Sequence, residues 1–289
     1  MCNKNILVVV SSEKPLAYKL KDEVLSFLAQ KGIKGNVCMY DASPSNNRKP
    51  FSIEENMPYT HAISLGGDGT VLFTARLCAP HNIPVLPINF GSFGFIASVE
   101  PCEWKGKLES FINDEATLYE RLLLGGEVFR GENLLLSFEA LNDIVISPLN
   151  VGIIVDIDVS FNDIPFGTYR GDGIIISSPT GSTAYSAALG GPILDPSVSA
   201  FLLTPMAPFS LSNRPIILPA SGVITIKVPL TRNKHVYIIG DGQKLIRLKK
   251  EDVLYIKKSC HKVFLAELSP NNFYCALKNK LGWHSSCFS

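Results

Sequence analysis

The sequence predicts an α/β domain followed by a β-rich, antiparallel domain. Three observations carry that expectation. The first hundred residues alternate short all-apolar runs with segments of helical apolar spacing. A glycine turn, Gly66-Gly67-Asp68-Gly69-Thr70, directly follows the apolar run Ala62-Ile63-Ser64-Leu65. After about residue 118 the pattern changes to apolar–polar alternation broken by Gly, Pro and Asn. The chain has 289 residues, enough for about two domains of ~100–200 residues. Its 46% hydrophobic and 18% charged residues fit packed globular domains rather than disorder.

Ile6 to Val10, the first element, is wholly apolar, the pattern of a parallel strand buried on both faces. Leu16, Leu20, Val24, Leu25 and Leu28 then fall at helical spacing, and Gly32 is placed to end that helix. Val37 to Tyr40 completes strand–helix–strand. Residues 43–58, rich in Pro, Ser and Asn, read as a loop. A strand over 61–65, the glycine turn, a helix from about Val71 to Cys78 and a strand from Ile83 to Ile88 come next. That strand runs into Asn89-Phe90-Gly91-Ser92-Phe93-Gly94, where two glycines suggest a tight, ligand-facing turn. A helix from about Glu103 to Asn113 closes a first domain set at 1–117. In the second, 118–265, Val155, Ile157 and Val159 alternate with Asp156, Asp158 and Ser160, a half-solvated strand, and short strands continue to about 258. The tail, 266–289, carries Phe273, Leu277 and Leu281 on one helical face and is expected to pack back on the first domain.

Bulk properties narrow the function. A net charge of +1 provides no global field for nucleic acid or an anionic membrane. The seven cysteines are odd in number and widely spaced, with no C-x-x-C, so they read as idle thiols rather than a disulfide framework or zinc site. The five histidines do not pair at metal-ligand spacing. The N-terminal apolar run is too short for a signal peptide, and no stretch reaches the ~18 apolar residues of a membrane span. A soluble, cytoplasmic protein is expected.

The motifs carry the chemistry. A glycine turn between a strand and a helix presents backbone N–H groups and a positive helix end to phosphate. Asp68 would repel that phosphate, so it binds a cation, holds a hydroxyl or acts as a base. No Walker-type phosphate loop, G-x-G-x-x-G or protein-kinase signature occurs. The segment 177–186 offers hydroxyls and amides around Gly181, with Ser182 placed to cap a short helix running to about Leu189. Asn142-Asp143 can read a base edge and a ribose diol, or simply form a turn into a strand. Gly240-Asp241-Gly242 reads first as a hairpin turn. It is the third Gly-Asp-Gly, after 67–69 and 171–173.

These pieces together resemble the NAD kinases, which phosphorylate NAD to NADP. The matching segments are Gly66 to Thr70, Ile88 to Phe95, Leu141-Asn142-Asp143, Arg170 to Ser186, Gly190-Gly191-Pro192-Ile193 and Asp241-Gly242-Gln243. A weaker echo lies at Lys280-Leu281-Gly282-Trp283, and the first 60 residues carry no diagnostic motif. The glycine turn alone is shared with lipid kinases and phosphofructokinases; the Asp172 to Ser186 segment is far more specific. Phe93 and Ile96 stand where leucine is commoner, and Phe73 where some relatives carry a polar residue. The resemblance implies a three-layer α/β domain, then a β-sandwich-like domain. It implies that catalytic Asp68 faces the 2′-hydroxyl of the adenosine ribose, with Gly67, Gly69 and Thr70 at the nucleotide. Asn142, Asp143, Asp172, Thr183, Ala184, Tyr185, Ser186, Ala187, Ala188 and Gln243 would hold the substrate, with Arg170 adding positive charge. ATP or polyphosphate as donor, Mg²⁺ or another divalent cation with ATP, and a homodimer or tetramer are implied as well. No metal ligands are assigned, and neither nucleic acid nor membrane is an expected partner.

Overall fold

The computed structural model describes residues 4–41, 53, 59–91, 94–97, 99–150, 152–229, 235–249, 251–267 and 269–280. The elements begin with β1 (Asn5–Ser11), α1 (Pro15–Gln30), β2 (Lys34–Tyr40), β3 (His61–Gly66), α2 (Asp68–Cys78), β4 (Val85–Asn89) and α3 (Trp104–Ile112). Next come β5 (Leu118–Arg130), β6 (Asn133–Ala140), β7 (Asp143–Pro148), β8 (Val155–Phe161), β9 (Ile164–Gly171), β10 (Gly173–Ser177) and α4 (Tyr185–Ala188). The chain finishes with β11 (Ala200–Met206), β12 (Ile216–Pro219), β13 (Ile224–Lys227), β14 (Val236–Gly240), β15 (Lys244–Arg247), β16 (Asp252–Ala266) and α5 (Pro270–Lys280). It divides into two compact units, Met1–Glu120 with Val263–Ser289, and Arg121–Lys262.

The first unit is a three-layer α/β domain. Parallel strands run in the order β2-β1-β3-β4, and the end of β16 joins β4 at Leu265 and Val85. Ile6, Val8, Val10, Ile63, Leu65, Leu86 and Ile88 form one core with α1 (Ala17, Leu20, Val24, Leu28) and α3 (Trp104, Leu108, Phe111, Ile112). Strand residues alternate in direction, so Leu7 and Val9 face the other side of the sheet. There α2 packs on β1, β3 and β4 and buries Val71, Ala75 and Cys78. Both sheet faces are covered, which is why these strands read as unbroken apolar runs. Gly32 follows α1 at φ +71, the left-handed position that ends a helix. In α5, Phe273, Ala276 and Leu277 are buried, and the Phe273 ring lies 6.4 Å from that of Phe95, so the tail helix does return to this unit. The expected contact of Leu281, the 281–283 echo and nearly all of the 43–58 loop lie outside the described residues.

The second unit is β-sandwich-like. One antiparallel sheet has the order β12-β11-β10-β7-β14-β15. Opposite it, β8 pairs with β9 and β13, and β13 pairs with β16 over Val253–Ile256. Ile144, Ile146, Ile174, Ile176, Phe201, Leu203 and Ile238 of the first sheet meet Val155, Ile157, Val159, Ile224, Ile226, Leu254 and Ile256 of the second. The alternation read at 155–160 is therefore the inner and outer face of β8.

Two boundaries moved. Helix α2 starts at Asp68, not near Val71, because Asp68 and Gly69 are weak helix formers that conceal a first turn. Strand β16 runs 15 residues, to Ala266, where short strands were expected to end near 258. In β16 the polar run Lys257 to Lys262 lies outside the sandwich core, where apolar alternation is not required.

Among the described cysteines none forms a disulfide; Cys38 and Cys78 are buried. Burial pushes the Cys38 thiol up to about 11 and the Cys78 thiol up to about 12, so neither is a thiolate near neutrality. Brief alkylation of the folded protein at pH 8, mapped by mass spectrometry, is expected to label Cys102 and Cys260 and to spare Cys38 and Cys78. Rapid labelling of Cys78 would contradict the packing of α2.

Candidate active site

In the α/β unit the site is built where β3 hands over to α2. Gly66 ends the strand, and a Cβ there would lie 2.1 Å from Thr70 Oγ1. Only glycine lets the Thr70 side chain fold back under the turn. Gly67 caps α2 with extended backbone, and the Thr70 N–H donates to Gly67 O at 2.9 Å. Phe90 N–H reaches across from β4 to Gly66 O at 2.8 Å, holding the two loops side by side. Gly69 is exposed.

Asp68 sits in the first turn of α2, where a carboxylate complements the positive helix end. Its Oδ2 accepts the Phe95 N–H at 3.1 Å, and its Oδ1 accepts those of Ala97 at 3.1 Å and Ile96 at 3.4 Å. A Cβ on Gly94 would fall 2.0 Å from Asp68 Oδ1. Gly94 is thus a glycine because Asp68 occupies its side-chain space. Ser92 and Phe93 of the same loop lie outside the described residues.

In the sandwich unit a second constellation forms at the start of β7. Asp241 occupies the β14–β15 turn at φ +48 with Gly242 at φ +67, the two left-handed residues of a tight hairpin. Its carboxylate, however, points into the fold. Oδ2 accepts the Leu141 N–H at 2.9 Å; Oδ1 accepts those of Asn142 at 2.7 Å and Asp143 at 3.2 Å. From the other side Ser178 N–H donates to Asn142 O at 2.9 Å, and the Ser178 hydroxyl donates to Leu141 O. Gly181 approaches so closely that a Cβ would lie 2.0 Å from Asn142 O. The Asn142 Oδ1 is buried with no hydrogen-bond partner.

Asp143 is itself buried. Burial pushes its carboxyl up to about 7, and the neighbouring Asp241 charge adds to the rise. Among the described residues no group of three or more His, Cys, Asp and Glu could hold a metal ion.

The remaining expected residues fall around this loop or apart from it. Asp172 is exposed between Gly171 and Gly173, and its N–H donates to Met206 O at 2.9 Å. Thr183 is half-buried, and its hydroxyl donates to Thr180 O at 3.2 Å. Ala184 and Ala187 are half-buried, Tyr185 and Ala188 exposed. Ser186 is buried, its hydroxyl 2.7 Å from Thr204 Oγ1. Gln243 is exposed on the hairpin. Arg170 is exposed, stacked over Phe209 with Nε 3.9 Å from Asp156. Ser182 does not cap a helix: its hydroxyl donates to Pro179 O at 2.7 Å and accepts the Leu194 N–H at 2.9 Å. A 3₁₀ turn over Thr180–Thr183 precedes the short α4, so Ser182 lies inside a turn rather than at a helix start.

Sequence reasoning underrated Asp241, Ser178 and Gly94. The repeated Gly-Asp-Gly was the available signal for Asp241; nothing in the pattern revealed that its carboxylate turns inward.

The raised Asp143 group has a stability consequence. The folded protein binds this proton between the unfolded value near 4 and about 7, so the group's contribution is full below pH 4 and is lost as pH rises through 7. Asp143→Asn is therefore expected to stabilise the fold by roughly 1–3 kcal/mol at pH 8, with the gain shrinking toward pH 5. Thermal melts at the two pH values check this; an equal or negative change at pH 8 contradicts it.

Comparisons with known proteins agree with this architecture. The ATP-NAD kinase N-terminal domain matches residues 6–116, and the ATP-NAD kinase C-terminal domain matches residues 141–268. An NAD kinase of Treponema denticola is 51% identical over 283 residues, 98% of each chain. One from Treponema pallidum is 43% identical over 284 residues, 98% of this chain and 91% of the relative. Among solved structures, yeast NADH kinase complexed with NADH superposes with a TM-score of 0.84 at 24% identity, covering 99% of this chain and 89% of that one. An NAD kinase from Archaeoglobus fulgidus in complex with ATP gives 0.73 at 19% identity, covering 97% and 100%. Those two likenesses establish a shared fold. The two domain matches and the extent of identity to the Treponema enzymes establish more: this chain belongs to the NAD kinase family.

Proposed function

We propose that this protein transfers the γ-phosphoryl of ATP to the 2′-hydroxyl of the adenosine ribose of NAD, giving NADP. The observation that supports it most is the placement of Asp68 in the first turn of α2, beside the Gly67–Gly69 backbone. N–H groups and the positive helix end attract a triphosphate, while the carboxylate serves the acceptor hydroxyl. A carboxylate offers about four lone-pair positions. Three are met by the Phe95, Ile96 and Ala97 amides, which leaves room for one further donor, the ribose hydroxyl.

The balance of the step is simple. The 2′-oxygen bonds to the γ-phosphorus, the bond from that phosphorus to the β–γ bridging oxygen breaks, ADP leaves, and the hydroxyl proton departs. The transition state is loose, so orientation and charge neutralisation do most of the work. A carboxylate is a far weaker base than a sugar alkoxide. Asp68 therefore orients the hydroxyl and takes its proton late.

Asn142 and Asp143 at the head of β7, with Asp172, Thr183 to Ala188 and Gln243, are the proposed dinucleotide contacts, and Arg170 a nearby positive charge. Ser186 contributes through its backbone, because its hydroxyl is engaged by Thr204. The described residues offer no protein cage for a metal. This suits Mg²⁺ or another divalent cation arriving on the ATP phosphates, as such ions keep much of their water and phosphate coordination. When bound it neutralises phosphate charge. A homodimer or tetramer in the cytoplasm completes the proposal; no helix among the described residues is long and apolar enough to cross a membrane.

The test is NADP formation from NAD and ATP–Mg²⁺, read with an NADP-specific dehydrogenase. Wild type is expected to form NADP, and EDTA to stop it. Asp68→Asn is expected to lose turnover by ~10²–10⁴-fold, the range of general-base assistance, while still binding NAD. Intact turnover in Asp68→Asn would remove its role. No NADP from the wild type with ATP or polyphosphate would remove the function.

A further inference from the structure

We propose that Asp241 is a positioning residue for dinucleotide binding: its buried carboxylate fixes the Leu141–Asp143 backbone and thereby sets where the Asn142 and Asp143 side chains point. The inference rests on the reading above that Asn142 and Asp143 contact the dinucleotide. Asp241 itself need touch nothing but the protein.

Four hydrogen bonds join the hairpin turn to this loop. The Asp241 carboxylate accepts three N–H groups from consecutive residues 141, 142 and 143, and the Asp241 N–H donates back to Asp143 O at 3.0 Å. An ordinary hairpin turn exposes its carboxylate; this residue is only 9% exposed. The backbone, φ +48, is that of an ordinary tight hairpin; what differs is that the carboxylate finds three N–H donors beneath the turn. Gly181 and Ser178 press on the same three residues from the opposite side. The loop backbone thus has little freedom, yet its Asn142 Oδ1 is left buried and unpartnered. An acceptor held rigidly without a donor costs free energy in the free protein. A loop whose backbone is already set spares the entropy of ordering it on binding.

Asp241 also acts through charge. Its carboxylate adds to the burial that raises the Asp143 carboxyl, so the two residues are linked electrostatically as well as by backbone geometry.

The test is steady-state kinetics on Asp241→Asn. This near-isosteric change keeps Oδ1 for Asn142 and Asp143 but sets an NH₂ against the Leu141 N–H. The expected result is a KM for NAD raised by about 10-fold, the size of one lost charge-assisted hydrogen bond. The KM for ATP and kcat should stay within about 3-fold of wild type, since Asp68 and the α2 turn are untouched. The limb of the kcat/KM pH profile that belongs to Asp143 should move to lower pH, because its negative neighbour is gone. Ser178→Ala, which removes the hydroxyl that holds Leu141 O, should raise the KM for NAD in the same selective way without moving the limb. Circular dichroism establishes that each variant is folded, and if Asp241→Asn does not fold, Ser178→Ala decides. A folded Asp241→Asn with unchanged KM for NAD and unmoved limb overturns the proposal, as does an equal loss for both substrates. If wild type makes no NADP, the function proposed above fails instead.

Discussion

One interaction recurs at the points on which this protein depends: a carboxylate collecting consecutive backbone N–H groups. Asp68 gathers those of Phe95, Ile96 and Ala97 in the α/β unit, and Asp241 those of Leu141, Asn142 and Asp143 in the sandwich unit. A hydrogen bond to a charged group contributes ~1.5–3 kcal/mol, more than a neutral one. Three on one carboxylate are enough to fix a short connecting segment where the regular ladder bonds run out. Each loop is then supplied with a shape no other residue could keep. A side chain at Gly94 would collide with Asp68, and one at Gly181 with Asn142.

The same constraint links fold to chemistry. The parallel strands β3 and β4 end together, so the Gly66 turn and the Asn89 turn lie side by side and Asp68 can reach the second from the first. In the sandwich, β7 has β10 and β14 as its two antiparallel neighbours. The loop entering β7 is thus bracketed by the Ser178–Gly181 segment beyond the end of β10 and by the Asp241 turn at the end of β14. Loose phosphoryl-transfer transition states reward placement more than covalent chemistry. A family that performs this reaction is well served by loops whose backbone is set before substrate arrives.

Much of this could be read from the residues. The apolar run at Ile6 to Val10 identified a buried parallel strand because both faces of that sheet are covered. The alternation at 155–160 identified a sandwich strand because one face is not. Gly66 to Thr70 and the 172–186 segment carried the family through the specificity of their order. What stayed hidden was direction. Asp241 sits in a sequence ideal for a solvent-facing hairpin, and it is the N–H groups of the neighbouring 141–143 loop that draw its carboxylate inward. Ser182 was misread for the same reason: its hydroxyl has the chemistry of a helix cap, but a 3₁₀ turn places it between Pro179 and Leu194. The full length of β16 escaped because polar residues outside a core, here Lys257 to Lys262, carry no periodic signal.

The central claim is that this scaffold directs a phosphoryl group to one particular hydroxyl of a dinucleotide carrying several. The most direct measurement is ³¹P NMR of the product made by the purified protein from NAD and ATP with Mg²⁺, with proton coupling used to locate the new group. The account predicts a single new phosphomonoester, coupled to the 2′ proton of the adenosine ribose, appearing as ADP accumulates. A phosphomonoester on any other hydroxyl, or ADP formed with no dinucleotide product, would contradict it.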